Sequence, residues 1–163
     1  MDARFCDIVA LEFASELFLL KETWLKPVSK KYTLGKNERL KSRKQIEELF
    51  SEGKKISIFP ISVYYLSNAL TTDDSHFTTQ MGVGVSGRNF KRAVDRNRVK
   101  RLMREAYRLQ KQDLLAMVAA NNMRLNVFFI YNGKELPGYK LVYDGMGVAL
   151  QKLSFAIERQ RAK

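Results

Sequence analysis

The sequence predicts one α+β domain, and three observations point to it. Stretches rich in β-branched and aromatic residues alternate along the chain with stretches whose apolar residues recur at helical spacing, the patterns of strands and of amphipathic helices. The 163 residues suffice for one sizeable core, but not for two ordinary domains and a linker. A hydrophobic share of 45% with 11% aromatics is that of a globular chain, and no stretch is rich enough in Pro or Ser to form a long disordered tract.

The elements follow in order. Near the N-terminus Ala10, Phe13, Ala14, Leu17 and Trp24 recur at helical spacing. An amphipathic helix and an extension without a role both fit them. Asp7, Glu12 and Glu16 break the apolar run, so this stretch is neither a signal peptide nor a membrane span. In SRKQIEELFSEG, Ser42 and Gln45 have capping-box spacing, Gly53 is placed to end a helix, and Ile46, Leu49 and Phe50 share its apolar side.

The run ISIFPISVYYL reads as a strand with Ile61, Val63 and Tyr65 on one face and Ser62, Tyr64 and Leu66 on the other. Pro60 belongs at a strand start, edge or bulge. SNALTTDDSHFTT reads as a hairpin loop. Beyond it Met81, Val83 and Val85 alternate with Gly82 and Gly84, which leaves one face low enough for close approach by a helix or ligand. A basic helix from Ala93 to Lys111 comes next. After a polar break at ANNMRLN, VFFIY is a buried strand and NGKELPGYK a turn region. From Lys140 to Gln160 a last helix carries Val142, Met146, Ala149, Leu150, Leu153 and Ile157 as its stripe, with Gly145 and Gly147 weakening its early turns. The tail ERQRAK is expected to fray.

Charge narrows the function. Lys and Arg number 29 against 17 Asp and Glu, a formal +12. Ten of the cations fall between Arg88 and Lys111, opposed only by Asp95 and Glu105, so a net +8 sits in that segment. On a helical wheel Val99, Leu102, Met103 and Ala106 gather on one side, while Asn97, Lys100, Arg101, Arg104, Arg108 and Lys111 gather opposite, with Arg96 on the border. Like charges four residues apart, such as Lys100 with Arg104, cost an isolated helix about 0.2–0.5 kcal/mol per pair. A polyanion removes that repulsion and gains from counterion release. RNA, DNA, an acidic membrane surface and mere solubility are the readings the charge leaves open. A helix-turn-helix reader of DNA needs a helix just before the basic one, where a Gly-punctuated strand stands instead. A membrane-surface helix needs a wider apolar stripe than the core leaves free.

Enzymatic chemistry by the protein alone is not indicated. Cys6 is the single cysteine and cannot form an internal disulfide, which suits a reducing cytoplasm. His76 is the single histidine, in a polar loop without ligands at metal spacing, and Asp73 and Asp74 beside it read as turn residues. No nucleophile with a base, no phosphate-cradling glycine loop and no zinc motif is present, so no catalytic residue and no bound metal are expected.

GVGVSGRNFKRAVDRNRVKRLMREAYR resembles the signature region of the bacterial ribonuclease P protein subunit, a strand leading through a loop into a helix that carries Arg-Asn-Arg. The resemblance extends to NERLKSRKQIEELFSEGKK and ISVYYL before it and to NVFFIYNGKEL after it, over roughly Lys36 to Leu153. It implies an α-β-β-β-α-β-α sandwich with a central sheet and a left-handed β-α-β crossover, of the ribosomal protein S5 domain 2-like type. The expected boundaries are an extension at 1–35, the ribonuclease P protein domain at 36–160 and a basic tail at 161–163.

In that family a large RNA is the catalyst and, with Mg²⁺, removes the 5′ leader from precursor tRNA, while the protein binds that RNA and the leader. The resemblance implies RNA contacts from Arg88, Lys91, Arg92, Arg96, Asn97, Arg98, Lys100, Arg101, Arg104 and Arg108. It implies a leader cleft formed by Phe50, Tyr64, Ile46, Arg39 and Lys41. Ile46 stands where relatives often carry an aromatic residue, and Gly87 where a lysine is common. The implied partners are ribonuclease P RNA and precursor tRNA, with no DNA, no membrane and no cofactor bound by the protein alone. The alternative is a stand-alone RNA-binding module, ribosome-associated or regulatory. At Phe50 and Tyr64 a core role competes with a cleft role, and Arg39, Lys41, Arg43 and Lys44 are either solvated or part of the cationic field.

Overall fold

The computed structural model of the protein describes residues 32–69 and 79–161. Contacts divide the chain into two units, Met1–Lys31 and Tyr32–Lys163. The expectations for the N-terminal extension, for His76 and for Asp73 and Asp74 fall outside the described residues.

The elements are α1 (Arg43–Glu52), β1 (Lys54–Ile58), β2 (Ile61–Ala69), β3 (Thr79–Val85), α2 (Ala93–Gln110), α3 (Gln112–Ala120), β4 (Met123–Tyr131) and α4 (Tyr139–Arg161). The strands form one mixed sheet in the order β1-β2-β4-β3. β1 with β2 and β2 with β4 are antiparallel, and β3 runs parallel to β4. A parallel pair needs a crossover connection, and α2 with α3 supplies it. The outer edge of β3 is not bare: Leu40 N–H donates to the Met81 carbonyl at 2.8 Å, and Met81 N–H to the Glu38 carbonyl at 2.8 Å. The segment leading into α1 thus pairs as a short extra edge.

Period-two alternation sorts the sheet. Ile61, Val63 and Tyr65 of β2 and Leu125, Val127, Phe129 and Tyr131 of β4 are buried with the stripes of α2 and α4. On α4 that stripe is the expected set, Val142, Met146, Ala149, Leu150, Leu153 and Ile157. Gly145 sits against Pro60, where an added Cβ would stand 3.2 Å from the ring, so its absent side chain lets α4 approach the β1–β2 turn. The other sheet face carries Tyr64 and Phe128 and receives Phe50 from α1.

Several sequence expectations are corrected. ISIFPISVYYL is not one strand but the hairpin β1–β2, turning at Phe59-Pro60, because proline punctuates a ladder to which it cannot donate. The stretch from Ser67 does not close a hairpin, since Ser67 to Ala69 still belong to β2 and β4 lies between β2 and β3. Ser42 occupies the N-cap of α1, but its side chain makes no capping bond. Gly53 does end that helix. A Cβ there would fall 2.1 Å from the Leu49 carbonyl oxygen.

The basic helix stops at Gln110, and α3, unforeseen in the sequence, follows after Lys111 with Leu114 and Val118 buried. The polar break is shorter than expected because Asn122, at φ 48°, turns the chain and β4 starts at Met123. Asparagine tolerates that left-handed conformation. Arg161, placed in the tail by the sequence, is the last residue of α4.

Candidate nucleic-acid interface

The basic region is held from its own loop upward. Phe90 is buried beside Tyr131, with ring centroids 6.0 Å apart. Asn89 donates through Nδ2 to the carbonyls of Asn132 and Gly133, each at 3.1 Å. Two side chains therefore pin the loop between β3 and α2 to the end of β4. Asp95 in the first turn of α2 favours the positive end of the helix dipole.

With its dry side fixed by Val99, Met103, Ala106 and Tyr107, α2 must show its cationic side outward. Arg88, Lys91, Arg92, Asn97, Arg98 and Arg101 are exposed, and Lys100 is half-buried. Three expected members of the stripe behave differently. Arg96 folds back, its Nη1 donating to the carbonyls of Phe90 at 2.8 Å and Lys91 at 2.7 Å, so it braces the loop. Arg108 is engaged by Glu105 at 2.6 Å and 2.9 Å and also donates to the Tyr32 carbonyl. That pairing holds the Glu105 carboxyl below the usual range and the guanidinium above its own, in each case first through the hydrogen bond between them.

Lys111, placed on the outer stripe by the wheel, is buried. Its Nζ lies 2.7 Å from both carboxylate oxygens of Glu38 and 2.5 Å from the Thr33 carbonyl. The wheel fails there because Lys111 closes α2, and the returning N-terminal segment covers it. The Tyr107 phenol nearby is pushed up by burial, with the Glu38 charge adding to the effect.

The second half of the site is a cleft of about 370 Å³ lined by Arg39, Leu40, Lys41, Ile46, Met81, Gly82, Val83, Arg104 and Phe128. Three cations thus rim an apolar floor. The Arg104 guanidinium is pushed down by burial first and then by the charges of Arg39 and Arg101. Such a cluster favours an anion that removes the repulsion.

Strand register explains the floor. Tyr64, Phe128 and Gly82 stand in one row across β2, β4 and β3. The Phe128 ring lies over Gly82, where an added Cβ would meet its Cδ2 at 2.3 Å, and over Gly84, at 2.8 Å from Cε1. The low face read at the two glycines is therefore taken by a neighbouring strand's ring. Phe50 meets Tyr64 edge-on at 4.8 Å and 71°, and Phe128 at 5.3 Å and 64°. Phe50 is 41% exposed, which places it at the core's margin with open ring surface.

All five residues expected for the cleft come together: Arg39, Lys41 and Ile46 line it, and Phe50 and Tyr64 join through Phe128. Phe128 was missed because VFFIY is uniformly apolar and hides which side chains face outward. Lys55, whose Nζ lies 5.5 Å from the Tyr64 ring centroid, was missed as well. Its signal is positional, since it faces Tyr64 in the β1–β2 register.

Comparison with known proteins shows the family and the fold. The family model described as Ribonuclease P matches residues 34–152. The chain belongs to the ribonuclease P protein family. The ribonuclease P protein component of Porphyromonas gingivalis is 36% identical over 123 residues, covering 76% of this chain and 88% of the relative. That of Chlorobium phaeobacteroides is 31% identical over 117 residues, covering 68% and 80%. Among solved structures, the RNase P protein of Staphylococcus aureus superposes with a TM-score of 0.55 at 18% identity, covering 71% of this chain and 94% of that one. The Thermotoga maritima protein gives 0.53 at 22% identity, covering 71% and 96%. The expected α+β fold of this family is thus present, with α3 as an addition to the expected order. The ribonuclease P protein component is a member of an RNA-binding, tRNA-processing family.

Among the described residues no group of three or more His, Cys, Asp or Glu is placed to hold a metal ion. The donor set near the cleft is cationic and aromatic and does not fit a resident divalent cation. No helix among the described residues is long and apolar enough to cross a membrane.

Proposed function

We propose that this ribonuclease P protein acts in the cytoplasm, binds the ribonuclease P RNA with the exposed cations of α2 and its preceding loop, and holds the 5′ leader of precursor tRNA in the cleft. The observation that carries the reading is the aromatic group Phe50, Tyr64 and Phe128 beside a cleft rimmed by Arg39, Lys41 and Arg104. Single-stranded RNA needs both: rings on which bases of any sequence stack, and cations that follow its backbone. A folded RNA needs the other surface, where Arg98, Lys100 and Arg101 gain by displacing counterions from phosphates.

The two surfaces meet at Arg104, which belongs to α2 and lines the cleft. A leader leaving the cleft therefore runs onto the helix that docks the RNA. The protein's contribution is to fix the substrate's 5′ strand relative to the catalytic RNA and to lower the repulsion between two polyanions. Mg²⁺ belongs to the RNA in this reading, which performs the hydrolysis that releases the leader. No side chain of this protein takes a proton or attacks phosphorus.

The test is cleavage of precursor tRNA by the cognate RNA at low Mg²⁺, with and without the full-length protein. The protein is expected to raise both cleavage and affinity for leader-bearing substrate. No change in either, together with capture of a broad mixture of RNAs, would favour a stand-alone RNA-binding module.

A further inference from the structure

The aromatic floor of the cleft is part of a longer row. Gly82 of β3 pairs with Phe128 of β4, Phe128 with Tyr64 of β2, and Tyr64 with Lys55 of β1, so four residues stand in line across all four strands on one sheet face. Strands lie about 4.8 Å apart, and three such steps make the row about 14 Å long. Both of its ends are cationic. Arg39, Lys41 and Arg104 rim the Gly82 end. At the other end stands Lys55, exposed and, among the described residues, paired with no carboxylate. Between the two ends lie the rings, Phe128 and Tyr64 in the row and Phe50 edge-on to both.

Lysine is common on an edge strand such as β1, where its charge discourages pairing with another chain. That role asks only for an ammonium directed at solvent. Here Nζ lies 5.5 Å from the centroid of the Tyr64 ring, a cation–π contact that holds the charge over the row itself. A base stacked on the rings therefore carries its backbone from one cationic end towards the other.

We infer that Lys55 holds a phosphate of the leader at the far end of this row and thereby makes affinity depend on leader length, an inference that rests on the leader binding proposed for the cleft. Arg104 joins the cleft to the helix that docks the RNA, so the nucleotides nearest the cleavage site occupy the Gly82 end. Lys55 is then met only by nucleotides farther upstream. Stacked nucleotides rise about 3.4 Å each, so the row takes at most about four of them. A leader too short to cross it never reaches the lysine.

The experiment titrates precursor tRNAs, whose leaders lengthen one nucleotide at a time, against the holoenzyme assembled with full-length protein at several salt concentrations. Wild-type affinity is expected to rise with leader length and to take a last step when the leader spans the row. Lys55→Ala removes that step, so the longest leaders lose roughly fivefold in affinity. Their slope of log K against log salt falls by about 0.7, the share of one phosphate on a single strand. Lys55→Arg keeps the charge and restores both. Lys152→Ala, which removes an exposed charge from α4, leaves the length dependence as in the wild type. Urea unfolding confirms that the variants fold. A loss in Lys55→Ala that is equal at every leader length, or an unchanged salt slope with the longest leaders, overturns the inference and leaves leader binding in the cleft standing. A wild-type holoenzyme whose affinity ignores the leader altogether overturns the cleft reading, and the inference with it.

Discussion

Lys111 and Glu38, 73 residues apart, form an ion pair in which Nζ lies 2.7 Å from both carboxylate oxygens, with the lysine side chain only 2% exposed. The pair fastens the N-terminal segment to the junction of α2 and α3. It thereby fixes the segment whose next residues, Arg39 and Leu40, edge β3 and wall the cleft. Removing one member of a buried pair strands the other charge, typically at 3–5 kcal/mol. Glu38 is 32% exposed, so the lower end applies. Glu38→Ala is expected to cost about 3 kcal/mol in urea unfolding. Lys111→Met added to it is expected to recover part of that loss, and a double variant less stable by the sum of both single changes would show that the two are not coupled.

The cations of α2 are not equivalent. Among the described residues, Arg98 and Arg101 are exposed and pair with no carboxylate, whereas Arg108 is held by Glu105. Replacing Arg98 and Arg101 together by Ala is expected to lower the slope of log K against log salt for RNA binding by about 0.7–0.9 for each phosphate that is no longer neutralised. Arg108→Ala is expected to leave that slope nearly unchanged. Binding isotherms at several salt concentrations compare the two, and equal losses would mean that Arg108 leaves Glu105 to contact RNA.

Glu105 also predicts an acid dependence. Its carboxyl is held below the ordinary glutamate range in the folded protein, first by the hydrogen bond from Arg108. A depressed folded value means stability that is present above the unfolded glutamate range and is lost as pH falls through the folded value. Because the pair is largely exposed, the contribution is small. Urea midpoints measured from neutral pH into acid should fall slightly less steeply for Glu105→Gln than for the wild type. A steeper fall would contradict the pairing.

How legible all this was depended on whether the signal was local. The stripe of α4 and the shared face of Ile61, Val63 and Tyr65 on β2 follow from periodicity, and the structure has them as the residues predict. The position of β4 between β2 and β3 is a long-range pairing, and nothing in the loop after β2 encodes it. The cleft residues came from resemblance, not from pattern. Lys111 shows the limit of a helical wheel, which treats every polar residue as outward and cannot see a distant carboxylate arriving at 2.7 Å. Phe128 shows the same limit for a strand, where an unbroken apolar run conceals the register that sets its ring over Gly82.

That ring gives a test of the cleft floor. Gly82→Ala puts a methyl group 2.3 Å from the present position of Phe128 Cδ2, so the ring must move. Overpacking of this kind costs about 1–3 kcal/mol. Leader affinity should fall with stability, while binding of ribonuclease P RNA through α2 should change little. An unaltered unfolding midpoint would show that the floor yields freely.

Phe50 separates a cleft residue from a core residue. It packs edge-on against Tyr64 and Phe128 yet keeps 41% of its surface exposed, so ring area is left for an incoming base. Stacking of one base on such a ring is worth about 1–3 kcal/mol. Phe50→Ala is therefore expected to weaken binding of precursor tRNA by roughly 5- to 150-fold at unchanged salt slope, since a ring carries no charge. Affinity for mature tRNA, which has no leader, should stay within about twofold. Phe50→Tyr keeps the ring and should keep most of the affinity. Paired titrations of the holoenzyme with the two RNAs read the difference directly, and equal losses for both would assign Phe50 to packing alone.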